Sequence, residues 1–191
     1  MATSDAEEHK AFSLSQIRLF DELSTQLMGE LGIKPIRHIL NTSGISNFPE
    51  GQYDMVRLGI GLYGVSNDTK EQKYLENVST LKSVISQIRT IPAGDSVGYG
   101  RRFMAHESTT VATIPIGYAD GISRLWGNEV GYVTINQQKA PILGSVCMDM
   151  LMVNVNGIEC AEGDPVVVFG ESPTVMEMAQ KTQTIPYEIL T

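Results

Sequence analysis

Residues 6–31 (AEEHKAFSLSQIRLFDELSTQLMGEL) carry apolar side chains at helical spacing. Phe12, Ile17, Phe20, Leu23, Leu27 and Leu31 form one stripe, and charged residues fill most of the other face. Gly32 follows as a C-terminal stop. PIRHIL then reads as a short β-like run ending in the turn cluster Asn41-Thr42-Ser43-Gly44. After NFPEGQ, MVRLGIGLYG is a second apolar run, with glycines where the backbone comes close to something. Helix, strand, turn, strand over residues 1–65 is the rhythm of an α/β unit.

The pattern changes after a polar, loop-like stretch at residues 66–77 (SNDTKEQKYLEN). VSTLKSVISQIRTI, TTVATIPIGY, GYVTINQQKAPIL, CMDMLMVNV and DPVVVFG are suited to strands, separated by turn signals such as PAGD, WGNEVG and ESPT. These runs predict an antiparallel β-barrel or sandwich of short strands, followed by one helix around TVMEMAQKT. A long amphipathic helix begins almost at Met1, and one and a half α/β units are too few to close a sheet. The sequence is therefore expected to be a fragment of a longer enzyme.

Composition narrows the classes. Lys plus Arg less Asp plus Glu gives 14 − 22 = −8, which argues against a general binder of nucleic acid or of an anionic membrane. Any anion must be held by a local site. Cys147 and Cys160 form no CxxC and no zinc pattern, so no metal is expected and both are read as reduced thiols. With no apolar run of the roughly 18–20 residues a membrane span needs, and no signal segment, a soluble cytoplasmic protein is expected.

Three stretches bear chemistry. In DSVGYGRRFM, residues 95–104, Tyr99 stands between two glycines with Arg101 and Arg102 behind it. Glycine there serves either close backbone approach or a positive φ. In TIPIGYADGISR, residues 113–124, Tyr118 is either a packed hairpin aromatic or an exposed group beside an Asp-Gly turn. In QKAPILGSVCMDMLMV, residues 138–153, Met148 and Asp149 are either core and cap or the lining of a pocket. Upstream, Arg57 reads as a strand-end ion-pair partner and His38 as a satisfied core histidine, or both as site residues.

Together, VGYGRRF, TIPIGYADG and APILGSVCMD resemble the C-terminal domain of bacterial alanine racemases. VRLGIGLYG resembles the family's VRPGIxLYG, and HILNTSGISNFP its HxANSAxxxxxP segment on a late strand and loop of the barrel. ATSDAEE resembles the sequence that follows a Thr-His pair in that barrel. The motifs are collinear and cover essentially the whole chain. The resemblance implies a mainly β chain, in which an antiparallel β-barrel or sandwich domain (67–191) follows an N-terminal remnant of an α/β (TIM) barrel (1–66). It implies pyridoxal 5′-phosphate (PLP), bound covalently by a lysine outside this chain, and a homodimer that interconverts L- and D-alanine for peptidoglycan. Alternatives are a serine or broad-spectrum racemase of the same fold, a fold-related PLP decarboxylase of diamino acids, or a non-catalytic PLP-binding homologue.

By the same resemblance Tyr99 is one of two catalytic bases, offered to the neighbouring subunit's cofactor. A phenol serves as a base only where its ionised form is favoured, and nearby cations do that. Arg101 and Arg102 are placed to act so, or to lie extended along the surface. Arg57 matches the arginine that faces the pyridine nitrogen, and His38 the histidine that hydrogen-bonds it from behind. Thr42, with Ser43 as the alternative, and the backbone N–H groups of Gly59 and Ile60 match the phosphate donors. Met148 matches a residue whose backbone N–H meets the substrate carboxylate, Tyr118 a tyrosine of the substrate corridor, and Asp149 a support of that loop.

Overall fold

The computed structural model describes residues 1–66 and 68–191. The chain divides into two compact units, Met1–Val78 and Ser79–Thr191. The boundary expected after Ser66 falls at Asn67, outside the described residues.

In the first unit, α1 (Lys10–Leu31) ends at Gly32, whose φ of 65° closes the helix with its N–H on the Met28 carbonyl. Its buried line is not the expected stripe. Ser13 and Ile17 are buried, while Phe12, Leu23, Leu27 and Leu31 are exposed. Ile17 packs with Leu40 and Phe48, and Phe20 meets Tyr53 edge-on with ring centroids 5.3 Å apart. The neighbours that α1 rests on select its buried face, and hydrophobicity alone named the adjacent one.

The two strands expected here do not form among the described residues. Residues 37–40 and 54–57 lie side by side in parallel sense, with Asp54 N–H on Arg37 O and Arg57 N–H on Leu40 O, each at 3.1 Å. Bonds three residues apart do not follow the two-residue repeat of a ladder, so the pairing stays below that of a sheet. The turn cluster is instead the start of a short helix, α2 (Thr42–Asn47), capped by the Asn41 side chain accepting from Gly44 N–H at 3.2 Å. Another short helix, α3 (Thr69–Gln72), is capped by Asp68.

The second unit is built on nine strands. They are β1 (Leu81–Val84), β2 (Gln87–Ile91), β3 (Ser96–Val97), β4 (Phe103–Met104), β5 (Thr109–Ile114), β6 (Tyr132–Ile135), β7 (Gln138–Leu143), β8 (Leu151–Asn154) and β9 (Pro165–Phe169). Seven form one antiparallel sheet in the order β1-β9-β6-β7-β8-β5-β2, so the expected mainly β, barrel-like domain is found. Its two edge strands are consecutive in the chain. The residues joining them bond to opposite ends of the sheet, Ile85 N–H to Asp164 O at 3.0 Å and Ser86 N–H to Thr113 O at 2.9 Å. The sheet thus curls upon itself and leaves little open edge.

Burial alternates as the pleat requires. On β8, Leu151 and Val153 are buried in the main core with Ile114, Ile135, Ile142, Val166 and Val168, while Met152 faces the other way. There Met152 joins a smaller cluster of Ile91, Val97, Leu143 and Phe103 under the β3–β4 hairpin. Helix α4 (Val175–Lys181) covers the main core with Val175 and Met178, and α5 (Pro186–Leu190) follows it. The Tyr132 hydroxyl donates to Glu177 Oε2 at 2.7 Å, and Lys181 Nζ lies 3.3 Å from Glu177 Oε1. Burial pushes the Glu177 carboxyl up, but the Tyr132 hydroxyl, Lys181 and Lys139 outweigh it and hold the group below its ordinary value. Cys147 and Cys160 are both free thiols. No helix among the described residues is long and apolar enough to cross a membrane.

Candidate active site

The first unit assembles one group of expected residues around the parallel segments. The Arg57 backbone is fixed on Leu40 O, and its guanidinium is held twice, with Nη1 3.1 Å from His38 Nδ1 and Nη2 donating to Ile39 O at 3.2 Å. His38 thus meets Arg57 as expected. A guanidinium carries its N–H donors in one rigid plane, so two contacts set the orientation of the rest.

Thr42 opens α2 and is buried. Its Oγ1 accepts from Gly59 N–H at 2.9 Å and from Gly61 N–H at 3.5 Å. Gly61 was not expected from the sequence. A hydroxyl has two acceptor positions and one proton. With both acceptor positions taken, the Thr42 proton is free to be donated, as a phosphate contact requires. Gly59 N–H, expected as a direct anion donor, is here spent on Thr42. Ile60 buries its side chain at the start of a single 3-10 turn, Ile60–Tyr63.

The second unit assembles the other group. Val97 and Phe103 anchor the β3–β4 hairpin on Leu143 and Met152, and Tyr99 stands at the hairpin tip in the 3-10 turn Tyr99–Arg101, 75% exposed. Gly98 takes φ 74°, ψ 179° and Gly100 takes φ 69°, ψ 10°. A β-carbon on Gly98 would come no nearer than 3.4 Å to Met152 Cε, an ordinary contact. Both glycines hold a positive-φ backbone that side-chain-bearing residues rarely adopt. Arg101 Nε donates to Ser96 Oγ at 3.0 Å.

A pocket of about 380 Å³ lies at this tip, lined by Gly98, Tyr99, Cys147, Met148, Asp149, Met150 and Met152. Tyr99 and Met148 are thus brought together. Met150 and Met152 were not expected. The tyrosine of the GYADG turn, Tyr118, is held beside the Met148 loop by backbone bonds. Tyr118 N–H donates to Cys147 O and Ala119 N–H to Met148 O, each at 2.9 Å. Asp120 Oδ2 accepts from Gly117 N–H at 2.9 Å and fixes the turn. No group of three or more His, Cys, Asp or Glu among the described residues could hold a metal ion.

Residues 78–191 match the family model for the alanine racemase C-terminal domain, and residues 1–67 match that for its N-terminal domain. The chain belongs to the alanine racemase family. It is 39% identical to the alanine racemase of Helicobacter acinonychis (strain Sheeba) over 95% of this chain and 51% of that protein. The alanine racemase of Clostridium difficile 630 superposes with a TM-score of 0.90 at 35% identity, over 100% of this chain and 50% of that one. The Bartonella henselae alanine racemase, solved with covalently bound pyridoxal phosphate, gives a TM-score of 0.81 at 33% identity, over 98% of this chain and 51% of that one. The chain spans about half the length of the curated alanine racemases it matches. Arg57, His38 and Thr42 lie within the N-terminal-domain match, and Tyr99, Tyr118 and Met148 within the C-terminal-domain match.

Proposed function

We propose that this chain is part of a PLP-dependent alanine racemase, a cytoplasmic homodimer that supplies D-alanine for peptidoglycan. The observation that carries the reading is Tyr99 Oη on an exposed, glycine-set tip at the rim of the Met148 pocket.

The donor set of the first unit fits a phosphorylated pyridine. Thr42 keeps a hydroxyl proton for a phosphate oxygen, with Gly59 and Gly61 holding that hydroxyl in place. Ile60 N–H is a further backbone donor at the same turn. Arg57, oriented by His38 and Ile39, is the partner of the ring nitrogen. Bound there through a lysine outside this chain, PLP would supply the electron sink for a carbanion at the substrate α-carbon. A guanidinium does not readily hand a proton to the ring nitrogen. That keeps the sink weak and favours return of the proton over side reactions.

Racemisation needs a base on each face of the α-carbon. Tyr99 Oη takes or returns the proton on one face, offered to the partner subunit's cofactor, and the lysine outside this chain serves the other. Met148 N–H meets the alanine carboxylate, and Tyr118 lines the approach. Met148, Met150 and Met152 give the pocket an apolar wall that suits a methyl side chain.

The test is D/L-alanine interconversion by the full-length protein. Tyr99→Phe should abolish proton exchange in one direction while leaving PLP binding nearly intact. Equal loss of exchange and PLP binding would mark Tyr99 as structural. An intact protein that binds PLP but racemises neither alanine nor serine would overturn the assignment.

A further inference from the structure

The turn that carries Tyr99 is closed by one long backbone bond, Arg101 N–H to Gly98 O at 3.4 Å. Gly98, Gly100 and Arg101 all have positive φ, of 74°, 69° and 49°. Arginine at positive φ is uncommon, and such a residue persists only where its surroundings hold it. The hairpin below is short, its ladder pairs Ser96↔Met104 and Val97↔Phe103 continued by Ala105 N–H on Asp95 O at 2.8 Å and Gly94 N–H on Ala105 O at 2.7 Å.

The Arg101 side chain adds a second hold on the turn. Nε donates to Ser96 Oγ at 3.0 Å and Nη2 reaches Met104 Sδ at 3.8 Å. Ser96 and Met104 are cross-strand partners on the rung farther from the tip. The guanidinium therefore straps the tip to both strands at the base of the hairpin. We propose that Arg101 is a positioning residue that fixes the Tyr99 turn through this strap, by its Nε–H rather than by its charge. The proposal rests on reading Tyr99 as a base, and its physical half can be measured without catalysis.

Charge and strap separate by substitution. Glutamine carries an N–H donor at the same distance from the backbone as arginine Nε, without charge. Lysine keeps the charge but has a methylene at that place. In the full-length protein, Arg101→Gln should keep kcat for alanine within about twofold of wild type. Arg101→Lys and Ser96→Ala should each lower kcat about five- to tenfold, the cost of one hydrogen bond at a reacting group. KM should change by no more than about twofold. The Ser96→Ala/Arg101→Lys double variant should be no worse than either single one, because both break the same contact. Amide hydrogen exchange over residues 96–104 should speed up in Arg101→Lys and Ser96→Ala but not in Arg101→Gln.

Wild-type-like kcat for Arg101→Lys with a loss for Arg101→Gln would overturn the proposal in favour of a charge effect. Unchanged exchange in all variants would overturn it outright. If wild-type protein does not racemise alanine while exchange follows the expected order, the activity assignment falls and the strap stands.

Discussion

The Met148 carbonyl oxygen lies 2.3 Å from the point that a β-carbon on Gly117 would occupy, and the Cys147 carbonyl lies 2.4 Å from it. The GYADG turn and the CMD loop thus meet backbone to backbone. Gly117→Ala must push them apart, costing about 1–3 kcal/mol. Chemical denaturation should show the loss. Alanine KM should rise as well, because the Met148 amide moves with its loop.

Gly98 and Gly100 both have positive φ but differ in ψ, and that difference is testable. The Gly98 pair (74°, 179°) lies in a region essentially confined to glycine, whereas the Gly100 pair (69°, 10°) is left-handed helical and open to asparagine. Gly98→Ala should cost about 1–3 kcal/mol. Gly100→Asn should stay within about 0.5 kcal/mol of wild type. Thermal melts of the two variants check the contrast, and equal effects would mean that crowding governs both sites.

Thr42 tests the cofactor cradle. Thr42→Val keeps the shape but leaves the Gly59 amide without its acceptor and removes the hydroxyl proton, at about 1–3 kcal/mol. PLP affinity of the full-length protein should fall about tenfold or more. Thr42→Ser should retain it. Titration followed by the cofactor's visible absorbance reads both.

Glu177 ties pH to stability through α4. Its carboxyl is held below the ordinary value of 4.5 in the folded state. The ionised form therefore stabilises the fold above that value, and the contribution is lost as pH falls through and below it. Glu177→Gln should lose less than about 1 kcal/mol near neutral pH, since the pair is partly solvated. Melts near pH 7 and near pH 3 should show wild type and variant converging at the acid end.

Much of the second unit is legible in the sequence because its strands are written in short-range terms. Leu151 and Val153 alternate with Met152 and Asn154, and β9 is a short continuous apolar run rich in valine. Turn residues separate the runs, and Thr174 caps α4 through its bond from Glu177 N–H. The first unit is less legible. Residues 35–40 and 55–59 have strand-like composition, yet a strand exists only where a neighbour completes its ladder, and neighbours are not local information.

The sequence by itself determines the mainly β class of residues 79–191, the places of the sheet strands and α4, and the motif set that marks the family. Those depend on side-chain period and residue type, which neighbouring residues impose on one another. Only the tertiary structure decides which face of α1 is buried, that Thr42 accepts from Gly59 and Gly61, and that Tyr99 and Met148 share a pocket. It also decides that Arg101 grips Ser96. Each of these is a contact between groups whose approach is set by the packing of whole elements, and no spacing along the chain encodes it.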